Sequence, residues 1–530
     1  MATRDFPTFS FDNWATELRS EITLGKSQEQ LIAEDILEDD ETVETKVKVK
    51  NLWSAFVSGA GLFSDGYVNA GISTVLSCLK QIYGDEFTKS NAINNIGSIG
   101  FVGTVVGQLS FGYISDNFNR KTGMLAANIM LIFFTLMCSV GSWGVTTQGF
   151  FACFTVWRFF LGVAIGAEYP TSSVIASEFA TQLPPGHRNR YFAWFTNGCI
   201  DFGFVVAAFV PLVLLWIFTP RHLRAVWRLS IGLGVIPPLI LFFLRLKMKN
   251  SNAFKKMNMK RVSYKVYPWW LIFKFYWFRL TVVSLIWFIY DFSVYSFGNF
   301  NTIIIEQIIP KGSLYQVWGW SVVFNLFYMP GTILGALAAD YIGPRLTLVS
   351  GVVAQGVIGI AMSACLKTLR RHIAGFVVVF GIFTAFGEWG AGNQVGTIAS
   401  RTSATSIRGQ YYGIAAAIGK IGAFVGTWVF PAIQKHYADP ENPDLELQVP
   451  FYVSSALCLF SACLALFFLP TVGQDAVNKE DRAFKEYLER NGFDIRILGD
   501  GGEVSHYHDE TEAADSVDKG DDVEIQQKRV

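Results

Sequence analysis

The sequence predicts an all-α membrane protein of twelve transmembrane helices, arranged as two pseudo-symmetric six-helix bundles. Three observations predict it. Only 16% of the 530 residues are charged while 51% are hydrophobic, against about a quarter charged in soluble chains. The apolar residues fall in repeated windows of roughly 20, the length of helix that crosses a bilayer. The second half of the chain also repeats landmarks of the first.

Six spans are expected at 52–79, 92–115, 122–143, 148–178, 190–218 and 224–246, and six more at 276–305, 315–341, 346–367, 372–400, 408–434 and 449–471. Inside lipid only helices and closed barrels satisfy the backbone. These runs show no period-2 alternation, so they are read as helices.

The first span carries Asp65 in "FSDGYVN". The second spaces Gly97, Gly100, Gly103 and Gly107 for close helix approach and ends in "GYISDNFNRK", with Asp116 and Arg120. The fourth holds Arg158, Gly162 and Gly166 in "RFFLGVAIG", followed by Glu168 and Tyr169 in "GAEYPTSS". Asp201 lies in the fifth span, Asp291 in "IYDFSVY" of the seventh and Glu388 in the tenth. The eighth ends with Asp340 and, shortly after, Arg345. Lys420 sits mid-helix in the eleventh, within "GIAAAIGKIGAFVG".

The repeat rests on matched landmarks. Asp116 and Asp340 both close a helix and precede an Arg; Asp65 and Asp291 recur at nearly the same offset. "GAEYPTSSVIAS" in the fourth span is echoed by "GAGNQVGTIAS" in the tenth. Such repeats place a binding site near the midplane between two bundles. The expected organisation is an N-terminal tail (1–50), a six-helix bundle (51–246), a basic linker (247–275), a second bundle (276–471) and an acidic tail (472–530).

Arg245 to Lys265 carries eight basic residues and no acid, and the loops with Arg120, Arg188, Arg345 and Arg401 fall on the same side. That side is expected to be cytoplasmic, with both termini there. Lys367, Arg370, Arg371, Arg221 and Arg224 run against the rule. The opening "MATRDFPTFSFDNW" has no basic region followed by an apolar run, so no cleavable signal is expected. Both tails read as solvated, disordered or loosely helical segments.

Composition also excludes. Lys plus Arg equal Asp plus Glu, at 43 each, so bulk charge predicts no nucleic-acid partner. The seven cysteines form no CxxC or Cys/His cluster, and the six histidines lie in or beside loops and tails. No enzyme, metal site or cofactor is expected; the tail pair His506 and His508 reads as solvated.

A buried acid costs about 2.5–3.5 kcal/mol at a helix centre. For any one of Asp65, Glu168, Asp201, Asp291 and Glu388, a structural partner is a fair explanation. Burial also disfavours the charged form of a carboxyl, which is what a proton-coupled carrier uses. Lys420 is too deep to snorkel. A permanent pair with an Asp and a visiting anion explain it equally well, and both hold in turn if the substrate displaces the acid.

"GYISDNFNRK" resembles the loop signature of the major facilitator superfamily, with Asn119 at its second glycine. That resemblance implies a gating role for Asp116, Arg120, Asp340 and Arg345. "RFFLGVAIGAEYPTSSVIASE" and "IGKIGAFVG" look like the fourth and eleventh spans of its phosphate:proton symporter branch. "FKFYWFRL", "WFIYDFSVYSFGNFNTII" and "FKEYLERNGFD" are similar to fungal glycerophosphoinositol and glycerophosphocholine permeases. The resemblance covers roughly residues 50 to 495. It departs at Ala391 and Asn393, where relatives carry Pro and Asp, and at Arg401, where they carry Glu.

The resemblance implies a monomeric, multi-pass plasma-membrane symporter importing glycerophosphodiesters with protons. Lys420, Tyr169, Trp287, Asn393, Gln394 and Arg158 are the candidate substrate contacts. Asp65, Glu168 and Asp291 are the proton-linked candidates. Its partners are a small organic phosphate, protons and the lipid bilayer. The competing readings are an inorganic phosphate:proton symporter and a non-transporting nutrient sensor.

Overall fold

The computed structural model describes residues 11–26, 30, 49–248, 251–259, 267–439, 441–442, 444–473 and 476–499. No strand occurs among them. Among the described residues eleven helical segments are long and apolar enough to cross a membrane, from Ala92–Asn117 to Leu445–Phe468. The remaining pass comes first in the chain. It runs as Val49–Gly59, a short tight turn Ala60–Leu62, and Phe63–Tyr83. It is less apolar than the rest because Ser64, Asp65, Asn69, Ser73 and Ser77 are buried along it. These face neighbouring helices, so lipid never meets them.

The glycines of the second and fourth passes sit where the two helices cross. A Cβ on Gly103 would overlap the Phe159 carbonyl, and one on Gly166 would overlap that of Thr104. The second pass (Ala92–Asn117) also packs on the eleventh (Arg408–His436). The fifth (Arg188–Phe218) packs on the eighth (Leu314–Ile342). Large apolar side chains such as Trp216, Ile240, Phe243 and Val357 point outward, the surface a bilayer covers.

The fourth pass is not a uniform helix. Thr147–Glu168 gives way to a widened π-helical turn, Tyr169–Ser173, and then Val174–Ala180. Pro170, which lacks an N–H, starts that turn. The tenth pass does the same at Glu388–Gly392, between Ile373–Gly387 and Asn393–Arg401. The two π turns lie about one helical turn apart in the repeat and put Tyr169 and Glu388 at irregular points, and such turns recur at functional sites.

Two tail segments depart from the solvated reading. Phe11–Ser20 is a helix whose Trp14 donates to the Leu466 carbonyl at 2.9 Å. Ala476–Arg490 is a helix with Val477, Phe484 and Leu488 buried. Their spacing is an apolar stripe at helical period, which the acidic composition hid. The seventh pass begins at Trp269 rather than 276. The rest of the acidic stretch 29–45 apart from residue 30, and His506 and His508, lie outside the described residues.

Candidate functional site

Glycines set the floor of the site. On the eleventh pass, a Cβ on Gly419 would lie 2.6 Å from the Trp287 ring, and one on Gly422 would overlap the Phe288 carbonyl. The eleventh backbone therefore packs on the seventh pass on either side of Lys420, against the Trp287 ring at Gly419 and against backbone at Gly422. That closeness brings the Lys420 ammonium to 3.3 Å from Asp291 Oδ2, with both side chains almost wholly buried. The ammonium also lies 3.7 Å from the Tyr295 ring centroid and 5.3 Å from that of Tyr169, within cation–π range.

Asp65 completes this pole. It accepts from Tyr169 Oη at 2.5 Å, from Tyr295 Oη at 3.3 Å and from Asn69 Nδ2 at 2.6 Å. Lys420, Asp291, Tyr169, Trp287 and Asn393 line a common narrow cavity of about 40 Å³.

A second polar group lines the same cavity. Glu388 accepts from Tyr290 Oη at 2.5 Å and from Asn197 Nδ2 at 2.9 Å. The same amide reaches Asp201 Oδ2 and Asn393 Oδ1, each at 3.2 Å. Thr332 Oγ1 also donates to Asp201.

Polar contacts join the two halves of the chain on two faces. On one face, Asp116 accepts from the backbone N–H groups of Gly409 and Gln410 at 2.9 and 2.7 Å, and Arg120 donates to the Thr405 carbonyl at 2.7 Å. Arg120 also pairs with Glu178. Asp340 takes the N–H groups of Asn189 and Arg190, and the Arg190 side chain at 2.5 Å. On the opposite face, Ser77 and Lys80 hold Glu306 at 2.8 and 3.0 Å.

A family model described as sugar (and other) transporter matches residues 53–265 and 253–484. The chain belongs to this transporter family of the major facilitator superfamily. The glycerophosphocholine permease GIT4 of Candida albicans is 79% identical over 100% of each chain. The major glycerophosphoinositol permease GIT3 of the same organism is 72% identical over 99% of each. Among solved structures, the proton:xylose symporter XylE bound to a bromodeoxyglucose superposes with a TM-score of 0.69 at 15% identity, covering 82% of this chain and 99% of that one. This transporter is no enzyme.

Several sequence-selected residues of the transporter lie elsewhere than expected. Glu168 does not line the cavity; its Oε1 pairs with Arg245 Nη1 at 2.7 Å, and Ser172 donates to it. Arg245 is fully buried and also donates to the Ser58 carbonyl and Asn128 Oδ1. Gln394 turns away from the cavity and donates to the Gly335 carbonyl at 3.2 Å. Arg158 lines a separate cavity of about 20 Å³ beside Tyr67, Cys138 and Ser230, its Nε donating to the Ile96 carbonyl at 3.4 Å. Asp340 bonds Arg190 across the latch, while Arg345 donates to the Ala465 carbonyl at 3.2 Å. Arg190, Asn197, Tyr290 and Tyr295 were missed as partners. The only sequence signal of the last three is a polar group inside an apolar run, whereas Arg190 reads as one more basic residue of the loop "GHRNR".

Proposed function

We propose that this chain is a proton-coupled plasma-membrane symporter that imports glycerophosphodiesters, glycerophosphocholine or glycerophosphoinositol, by alternating access. The Lys420–Asp291 pair, buried in a cavity between the two halves, carries the reading. The near full-length identity to permeases for those two diesters supports the substrate class.

In the proposed cycle the cavity opens outward when the Lys80–Glu306 contacts part. A proton taken up on Asp291 or Asp65 frees Lys420 to hold the substrate phosphate as a point charge. Tyr169 then turns its hydroxyl from Asp65 to the phosphate, and Trp287 and Asn393 flank the rest of the molecule. With the charge neutralised, the halves at 51–246 and 276–471 rock about the site. The Asp116 and Asp340 latches release, and the cavity opens to the cytoplasm, where both termini and the basic linker lie. Glu168 serves as the buried partner of Arg245 and takes no substrate.

The test is uptake of radiolabelled glycerophosphocholine, glycerophosphoinositol and inorganic phosphate by cells expressing the chain, each at two external pH values. Diester uptake that rises as external pH falls is the expected result. Uptake of inorganic phosphate alone overturns the diester assignment, and pH-independent uptake overturns proton coupling. Absence of all uptake, with normal surface abundance, favours a sensor.

A further inference from the structure

The pole of the cavity formed by Asp201 and Glu388 is short of positive charge. Both side chains are almost wholly buried, at 0% and 2% exposure. Among the described residues no basic side chain bonds either one, whereas Glu168 has Arg245 and Asp291 has Lys420. Hydrogen bonding does not close the account. The two N–H groups of the Asn197 amide are shared among Asp201, Glu388 and Asn393, and Asp201 Oδ1 has no partner at all. A buried carboxylate oxygen left unpartnered is costly. Both Asp201 and Glu388 are among the residues that line the cavity.

The cavity that this pole shares has aromatic walls, and Tyr290 joins them to Glu388. Tyr290, Phe204, Trp287 and Tyr412 line the same space. Trp287 and Tyr412 meet edge to face at 5.4 Å. Gly392 leaves room for the Glu388–Tyr290 pair: a Cβ there would press on the Glu388 carboxylate and lie 2.6 Å from Tyr290 Oη. Aromatic faces joined to carboxylates suit a quaternary ammonium, which is cationic and carries no N–H to donate. Such a group offsets the carboxylate charge by Coulomb attraction and needs no directed hydrogen bond.

We propose that Asp201 and Glu388, with the aromatic walls beside them, form the headgroup subsite of the transporter and select a quaternary ammonium, so that a choline ester is preferred to an inositol ester. The proposal rests on the glycerophosphodiester reading above. Tyr290 and Asp291 are neighbours on the seventh pass, one bonding Glu388 and the other Lys420. A zwitterionic diester therefore meets an ammonium at its phosphate end and carboxylates at its cationic end. An inositol ester fills the second pole with hydroxyls, which bond the acceptors without offsetting the charge.

Competition on the unaltered protein tests this without a folding risk. Labelled glycerophosphoinositol uptake is challenged with glycerophosphocholine and with its uncharged carbon isostere, the 3,3-dimethylbutyl ester. The isostere is expected to compete about tenfold less well or worse, the scale of a desolvated cation–π contact. Equal competition overturns the proposal. In Asp201→Asn and Glu388→Gln, checked for surface abundance, the ratio of choline-ester to inositol-ester uptake is expected to fall about tenfold or more. If both uptakes fall together, the pair belongs to the transport cycle and the headgroup assignment is wrong, while the diester reading stands. If the unaltered chain transports neither ester, the diester reading itself fails.

Discussion

Replacing Lys420 by Ala strips Asp291 of the cation 3.3 Å away, in a site where the carboxyl is 2% exposed. Removing one partner of a buried pair costs about 3–5 kcal/mol while the other stays charged. The phosphate contact is a separate quantity. A hydrogen bond to a charged group contributes about 1.5–3 kcal/mol, or roughly ten- to hundredfold in affinity at about 1.4 kcal/mol per decade. A second variant separates the two losses. Lys420→Met with Asp291→Asn removes both charges and leaves no ion unpaired. The single variant is expected to melt at lower temperature and to lose uptake; the double variant is expected to recover the melting temperature and still fail to transport. Melting of the purified protein and initial uptake of radiolabelled glycerophosphocholine, normalised to surface abundance, read the two effects. Uptake near the wild-type rate in either variant refutes the anion-binding role of Lys420.

The Glu168–Arg245 pair gives a contrasting outcome. Arg245→Ala leaves Glu168 unpaired and is expected to destabilise the fold by about 3–5 kcal/mol; Glu168→Gln with Arg245→Met restores folded yield, and an unimpaired Arg245→Ala protein contradicts the pairing. Asp116→Asn weakens acceptance of the Gly409 and Gln410 amides, an interaction akin to a helix cap of about 1 kcal/mol. Hydrogen exchange at those two amides is expected to rise about fivefold, and unchanged protection speaks against the latch. Gly103→Val forces a side chain into the Phe159 carbonyl, so folded yield should collapse; a wild-type yield would show that the second and fourth passes can separate.

Much of the fold was legible in the residues. The glycines at 103, 107, 162 and 166 announced a close crossing, and each meets a facing backbone carbonyl. Asp116 announced a helix-end partner and found the N-terminus of the eleventh pass. The site was legible only in part. Lys420 and Asp291 stand out because a charge in an apolar run is conspicuous, yet Glu168 is equally conspicuous and lies outside the cavity. Composition registers that a charge is buried and says nothing of which neighbour faces it. The tail helix Ala476–Arg490 was hidden for a related reason: its acids dominate the average, while Phe484 and Leu488 do the docking.

By itself the sequence determined that this chain is a helical membrane bundle, and roughly where each pass lies. Lipid leaves the backbone one way to satisfy its polar groups, and hydropathy over some 20 residues is a local property. The tertiary structure alone decided which buried charges meet. Arg245 reaches Glu168 and Lys420 reaches Asp291, while Asp201 and Glu388 share one amide. Pairing depends on how distant passes are rotated and how deeply they slide against one another, and no stretch of a single helix encodes that.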